Sequence, residues 1–216
     1  MIIDNKIDAL DTMYPSYGEK VVNALYYSRP HSTMYGYVIS GDVTFPNGNI
    51  AVEGQYFCFW AAKSESIRTT GETVIFTRLG FKGQNTIGGP IEDSGRLVYI
   101  DQCSDSLLVY PPRMGDPSLN QLHFPSGVKQ SYHIHPSIRL GVVVRGNGYA
   151  CIKKSYDEEQ IELKPGVMFC IEEREQHRFM TNKEEMTVIA FHPDGDWGPT
   201  DHNHTMLNRT YITKKE

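Results

Sequence analysis

Blocks of this sequence recur at nearly fixed spacing, and that recurrence points to a molecule of two similar halves. Gly36-Tyr37-Val38-Ile39-Ser40-Gly41 aligns with Gly141-Val142-Val143-Val144-Arg145-Gly146, 105 residues on. Gly54-Gln55-Tyr56-Phe57-Cys58-Phe59 aligns with Gly166-Val167-Met168-Phe169-Cys170-Ile171, 112 residues on. The difference is absorbed by a longer hairpin in the second copy, around Asp157-Glu158-Glu159-Gln160. Each copy is written in runs of four to eight residues rich in Val, Ile, Tyr and Phe, punctuated by Gly, Pro, Asn and Asp, which reads as an all-β sandwich or barrel. The segment Gly41 to Ile50 carries an Asn47-Gly48 hairpin signal between two strands. Helical periodicity is weak and confined to Glu19 to Leu25.

The chain's 216 residues suit one domain or two small ones, and 39% hydrophobic residues suffice for a packed core. A net charge of -5 with no dense Lys/Arg cluster argues against a nucleic-acid or anionic-membrane surface. The expected partner is therefore a small molecule. Met1 to Lys20 lacks an apolar run of signal-peptide length, and no stretch reaches the roughly eighteen apolar residues of a membrane span. Cys58, Cys103, Cys151 and Cys170 lie apart in sequence, and a reduced, cytoplasmic setting is the simplest reading.

The chemistry concentrates in the second copy. His133 and His135 form a His-x-His pair which, on a strand, projects both imidazoles from one face with Cα atoms about 7 Å apart. His177 follows eleven residues after Gly166, where a second strand pair can bring it beside them. Three nitrogen ligands with an open position describe a catalytic metal site, whereas structural zinc is closed by four ligands.

At these residues the sequence resembles the cupin superfamily. Its first motif, Gly-x5-His-x-His-x3,4-Glu-x6-Gly, fits from Gly127 through His133 and His135 to Gly146, and its second fits through Pro165, Gly166 and His177. Arg139 stands where the family carries a glutamate ligand, and Asn182 falls one place late. The resemblance implies two cupin barrels in tandem, each a double-sheet jelly roll. Residues 1–100 would form an N-terminal barrel, and residues 101–216 a C-terminal metal-binding barrel with a tail. The boundary is expected between Gly89 and Gly115, with Arg96 to Ile100 reading as a strand and Pro111 to Pro117 as a turn-rich connector. The repeat maps His133 to Ser28, His135 to Pro30, Arg139 to Met34 and His177 to Glu65, so the first barrel is expected to be metal-free; a one-residue register shift would bring His31 to a ligand slot there. Three histidines suit Fe(II) in oxygen chemistry, and Zn, Ni or Mn are compatible.

Arg139 is the candidate catalytic residue: inside the barrel its guanidinium would hold an anionic substrate beside the metal, and outside it would pair with Glu172 or Glu173. Strand alternation puts it on a face with Gly141 and Val143, whose small size would leave room for a ligand. His123 and His192 read as ordinary hydrogen-bonded histidines, and His202 and His204 as surface residues. Tyr26, Tyr27, Tyr35, Tyr37 and Tyr56 read as core or inter-barrel packing. Cys151 and Cys170 read as buried thiols, although either could approach the cavity. Trp197, Met206 and Leu207 in the tail could dock on a barrel. The leading functional reading is a non-haem Fe(II) dioxygenase. The alternatives are an isomerase or lyase using the metal as a Lewis acid, and a non-catalytic ligand sensor in which the first barrel makes a homodimer.

Overall fold

A computed structural model describes residues 1–195 and 197–213. No α-helix occurs among them; a single 3-10 turn at Ile100–Gln102 interrupts an all-β chain. Among the described residues, no helix is long and apolar enough to cross a membrane. The strands of the first half are β1 (Ile2–Ile3), β2 (Lys6–Ala9), β3 (Ser16–Val22), β4 (Leu25–Tyr27), β5 (Ser32–Val38), β6 (Asp42–Thr44), β7 (Ile50–Val52), β8 (Tyr56–Ala61), β9 (Ser66–Thr69), β10 (Glu72–Leu79) and β11 (Thr86–Gly88). The second half adds β12 (Leu97–Val98), β13 (Ser104–Val109), β14 (Ser118–Phe124), β15 (Arg139–Gly146), β16 (Gly148–Lys153), β17 (Glu158–Leu163), β18 (Met168–Ile171), β19 (His177–Met180) and β20 (Met186–His192).

These strands make four antiparallel sheets, and the sequence repeat extends to their order. The six-stranded sheet runs β11-β8-β5-β10-β3-β2, and the seven-stranded sheet runs β1-β18-β15-β20-β14-β13-β12. Under the repeat offsets, β8-β5-β10 corresponds to β18-β15-β20. The smaller sheets are β4-β9-β6-β7 and β17-β16-β19. Even a packing detail recurs. A Cβ added at Gly36 would meet the Phe57 ring at 2.2 Å, and one added at Gly141 would meet the Phe169 ring at 2.4 Å. In both copies the glycine is needed because an aromatic ring from the neighbouring strand lies over its backbone.

The layers explain the sequence pattern. Ile7, Tyr35, Val74 and Phe76 of the six-stranded sheet pack on Leu119, Leu140, Val142 and Phe191 of the seven-stranded sheet, with the Tyr35 and Phe191 ring centroids 5.1 Å apart. A second core lies between the six- and four-stranded sheets around Met34, Phe57, Phe59 and Ile67. A third lies between the seven- and three-stranded sheets around Phe124, Phe169, Phe179 and Val188. Both large sheets are therefore covered on two faces, and their central strands are buried without alternation; β5 is buried at every position.

Two sequence expectations need correction. Glu19 to Leu25 is not helical: it contains the end of β3, a turn at Asn23 with φ +47° and the start of β4. Pairing of Lys20 with Val74 and of Val21 with Thr73 overrides the weak local periodicity. The strand expected at Arg96 to Ile100 contracts to Leu97–Val98, ahead of the 3-10 turn.

Candidate metal centre

His133, His135 and His177 come together. Their ring centroids are 5.1 Å apart for His133 and His135, 4.4 Å for His133 and His177, and 5.0 Å for His135 and His177. One nitrogen from each lies within 4.8 Å of the others, and among the described residues this is the one cluster able to hold a metal ion. The His-x-His pair does not occupy a regular strand. Instead, His133 and His177 exchange both backbone N–H···O bonds at 3.0 Å in an isolated bridge. The Arg174 N–H donates to the His135 carbonyl at 2.9 Å, fixing the second histidine.

The ring nitrogens are sorted in the same way. His133 Nδ1 lies 3.0 Å from the Ser131 carbonyl and His177 Nδ1 lies 2.8 Å from the Glu175 carbonyl. Such contacts hold the proton on Nδ1 and turn Nε2 inward, as the outer contacts of metal-binding histidines do. His177 Nε2 is buried and has no hydrogen-bond partner. An orphaned imidazole lone pair beside two more imidazoles fits a divalent ion, which would satisfy it. Burial, with help from Arg139 and the neighbouring imidazoles, pushes His135 down to about 3. Burial likewise pushes His177 down to about 4. Both are neutral at physiological pH and need lose no proton to become ligands.

A narrow cavity opens from this cluster between the seven- and three-stranded sheets. Its apolar wall includes Leu122, Phe124, Phe169, Phe179 and Val188. Its polar lining beyond the histidine cluster is Tyr99, Asp105, Gln130, Arg139 and His192. The cavity volume is about 50 Å³, room for a few solvent-sized groups.

Arg139 lines this cavity and is buried. Its ion-pair partner is neither Glu172 nor Glu173. Nη1 donates to Ser137 Oγ at 2.5 Å, to the Ile138 carbonyl at 2.9 Å and to Asp194 Oδ1 at 3.3 Å. Ser137 Oγ also donates to Asp194. The small-residue face beside Arg139 does not supply open space as expected, because the Phe169 ring fills the volume over Gly141. His192 lines the cavity, where burial foremost, and then Arg139 and His135, hold it well below the ordinary histidine range. His123 faces away and lies 3.1 Å from Glu185. Cys151 and Cys170 are buried thiols that do not line the cavity. Trp197 docks edge-on against Tyr110 at 4.5 Å, whereas Met206 and Leu207 are exposed, as are His202 and His204.

Sequence reasoning missed Asp105, Tyr99 and the Asp194 partner of Arg139. Asp105 had one available signal: aspartate is depleted in strands, and here it sits inside the strand Ser-Asp-Ser-Leu-Leu-Val. The equivalent place in the first half has no imidazole. There the Ser28 N–H donates to the Glu65 carbonyl and the Glu65 N–H to Ser28 Oγ, both at 2.9 Å, in the positions of His133 and His177. Met34 is fully buried where Arg139 would stand, and His31 is exposed.

No protein-family model and no curated protein matches the chain. Solved structures do. A cupin 2 conserved barrel domain protein from Leptotrichia buccalis superposes with a TM-score of 0.60 at 15% identity, covering 88% of each chain. Bacillus subtilis oxalate decarboxylase, described with Mn(II) centres, gives 0.51 at 11% identity over 91% of this chain and 78% of its own. A variant of salicylate 1,2-dioxygenase from Pseudoaminobacter salicylatoxidans, in complex with gentisate, gives 0.57 at 10% identity over 87% and 73%. At such identities the likeness establishes the fold, which is that of the cupins.

Proposed function

We propose that this protein is a metal-dependent enzyme of two tandem cupin barrels, acting on a small anionic organic molecule. Residues 101–216 carry the site, and residues 1–100 are a scaffold that lacks the ligands. The observation carrying this reading is the convergence of His133, His135 and His177 with the His177 Nε2 lone pair buried and unsatisfied. These three residues would hold the ion, which supplies a Lewis acid and, as Fe(II), a site for oxygen chemistry. The chain's own residues do the rest. The phenylalanines of the cavity exclude water, and Arg139 offers positive charge to an acidic substrate that would share it with Asp194. Because His135, His177 and His192 stay neutral, they add no competing cation.

The leading version is a dioxygenase, supported by the fold shared with salicylate 1,2-dioxygenase. A second version, in which the ion acts only as a Lewis acid, draws equal support from the fold shared with Mn(II) oxalate decarboxylase. Elemental analysis of wild type beside His133→Ala tests the site. About one divalent ion per chain is expected in the first and almost none in the second, since losing one of three ligands breaks the chelate. Equal metal in both proteins overturns the reading. Oxygen uptake with small hydroxy and keto acids then separates the versions, because turnover persisting under nitrogen excludes the dioxygenase.

A further inference from the structure

Asp105 is the one carboxylate among the described residues that line the metal-side cavity. It sits on β13 with its Cα paired to Leu122 of β14, so it shares the face from which Leu122 and Phe124 enter the cavity. A chain of donors fixes its orientation. Ser118 Oγ donates to Asn120 Oδ1 at 3.1 Å, and Asn120 Nδ2 donates to Asp105 at 2.8 and 3.1 Å. Asn120 thus presents the carboxylate as an acceptor.

The other polar groups cannot accept a proton near neutrality. Arg139 is a permanent cation and Gln130 a neutral amide. Burial raises Tyr99 to about 12, so it keeps its proton. His192 lies well below the histidine range and cannot retain one. Asp105 differs: burial lifts its carboxyl to about 6, close to where proton transfer is most effective.

We propose that Asp105 is the proton acceptor for a small protic ligand whose hydroxyl oxygen faces the three imidazoles. The ligand O–H bond breaks as an O–H bond to the Asp105 carboxylate forms; the ligand becomes an oxyanion and no electrons change hands. This rests on the metal reading and narrows the substrate class to small hydroxy acids, enols or phenols, molecules with an ionisable hydroxyl beside a second oxygen. A new oxyanion in the same low-dielectric cavity raises the carboxyl further, so the proton stays on Asp105.

The test uses zinc-loaded protein, because zinc is redox-inert, and acetohydroxamic acid as the probe. Calorimetric titration at about pH 7.5, in buffers of different ionisation enthalpy, counts the protons released on binding. Wild type should release well under half a proton per ligand bound, Asp105→Asn about one, and Asp105→Glu should return toward wild type. A purely structural Asp105 would not move this count. Equal release from wild type and Asp105→Asn overturns the inference, as does a failure of zinc-loaded wild type to bind the probe. If Asp105→Asn does not fold, carboxyl 13C shifts of the wild type decide: protonation on probe binding supports the role, and an unchanged carboxylate overturns it. Wild type that binds no zinc defeats the metal reading itself, whereas zinc binding with equal proton counts defeats only the role of Asp105.

Discussion

At the scale of single residues, Asp105 ties stability to pH in a direction opposite to most carboxylates. Its folded-state value near 6 lies above the ordinary aspartate value of 3.8. The folded protein therefore holds the proton more tightly than the unfolded chain, and the benefit is complete only below about pH 4. As pH rises through 6, the buried carboxyl ionises and that benefit is lost, at most about 3 kcal/mol for a shift of this size. Asp105→Asn has no such proton. Relative to wild type, the variant should gain up to about 3 kcal/mol between pH 4 and 7, read from urea midpoints at each pH. Parallel stability profiles for the two proteins would show that Asp105 is not buried as described. The imidazoles shift the other way. His135 and His177, held at about 3 and 4, each favour the unfolded chain as pH falls below the usual histidine range. The comparison with Asp105→Asn removes their contribution, because both proteins carry it.

At the scale of strands and their contacts, the two glycine–phenylalanine pairs make an internal control. Ala at Gly36 drives a methyl into Phe57, and Ala at Gly141 drives one into Phe169. Overpacking of this kind costs about 1–3 kcal/mol, which in a chain of this size lowers the thermal midpoint by roughly 2–12 °C. Only Phe169 lines the metal-side cavity. Both variants should therefore melt early, but only Gly141→Ala should weaken acetohydroxamate binding; equal binding by the two would mean that the Phe169 ring does not shape the site. The same pair shows what the sequence could and could not say. Its glycines fixed the register of the repeat, because an invariant backbone need is written in one residue type. They did not reveal that the space beside Arg139 is filled, since Phe169 arrives there from another strand. The histidine trio was legible for the opposite reason: three ligand-type residues at fixed spacing need no knowledge of sheet register. Asp105 and Asp194 were harder to read, because Asp105 reaches the cavity through the β13–β14 pairing, Asp194 reaches Arg139 from the turn after β20, and neither belongs to a motif.

At the scale of the whole molecule, the repeat suggested two barrels that could be described separately, yet the large sheets bury their outer faces on each other. In the second half, Leu119, Leu140, Val142, Ile189 and Phe191 belong to the core shared with Ile7, Tyr35, Val74 and Phe76 of the first. Exposing five such side chains would cost about 8–15 kcal/mol at roughly 1.5–3 kcal/mol each. That is comparable to the entire stability of an ordinary domain, about 5–15 kcal/mol. The crossing strand β1 adds to the dependence: Ile2 and Ile3 pair with Cys170 and Phe169 of β18, on the strand that carries a cavity wall. The first half, though it has no imidazole in the corresponding places, thus supports the site by covering one face of its sheet and closing one edge. A fragment of residues 101–216 should accordingly fail to persist as a soluble monomer, and sedimentation should find it aggregated or self-associated through the uncovered face. A monomeric fragment with a cooperative melt and a full zinc complement would refute this dependence and make the two halves independent domains. The full chain, by contrast, should unfold in one transition by calorimetry, because opening either large sheet strips the other of the core the two share.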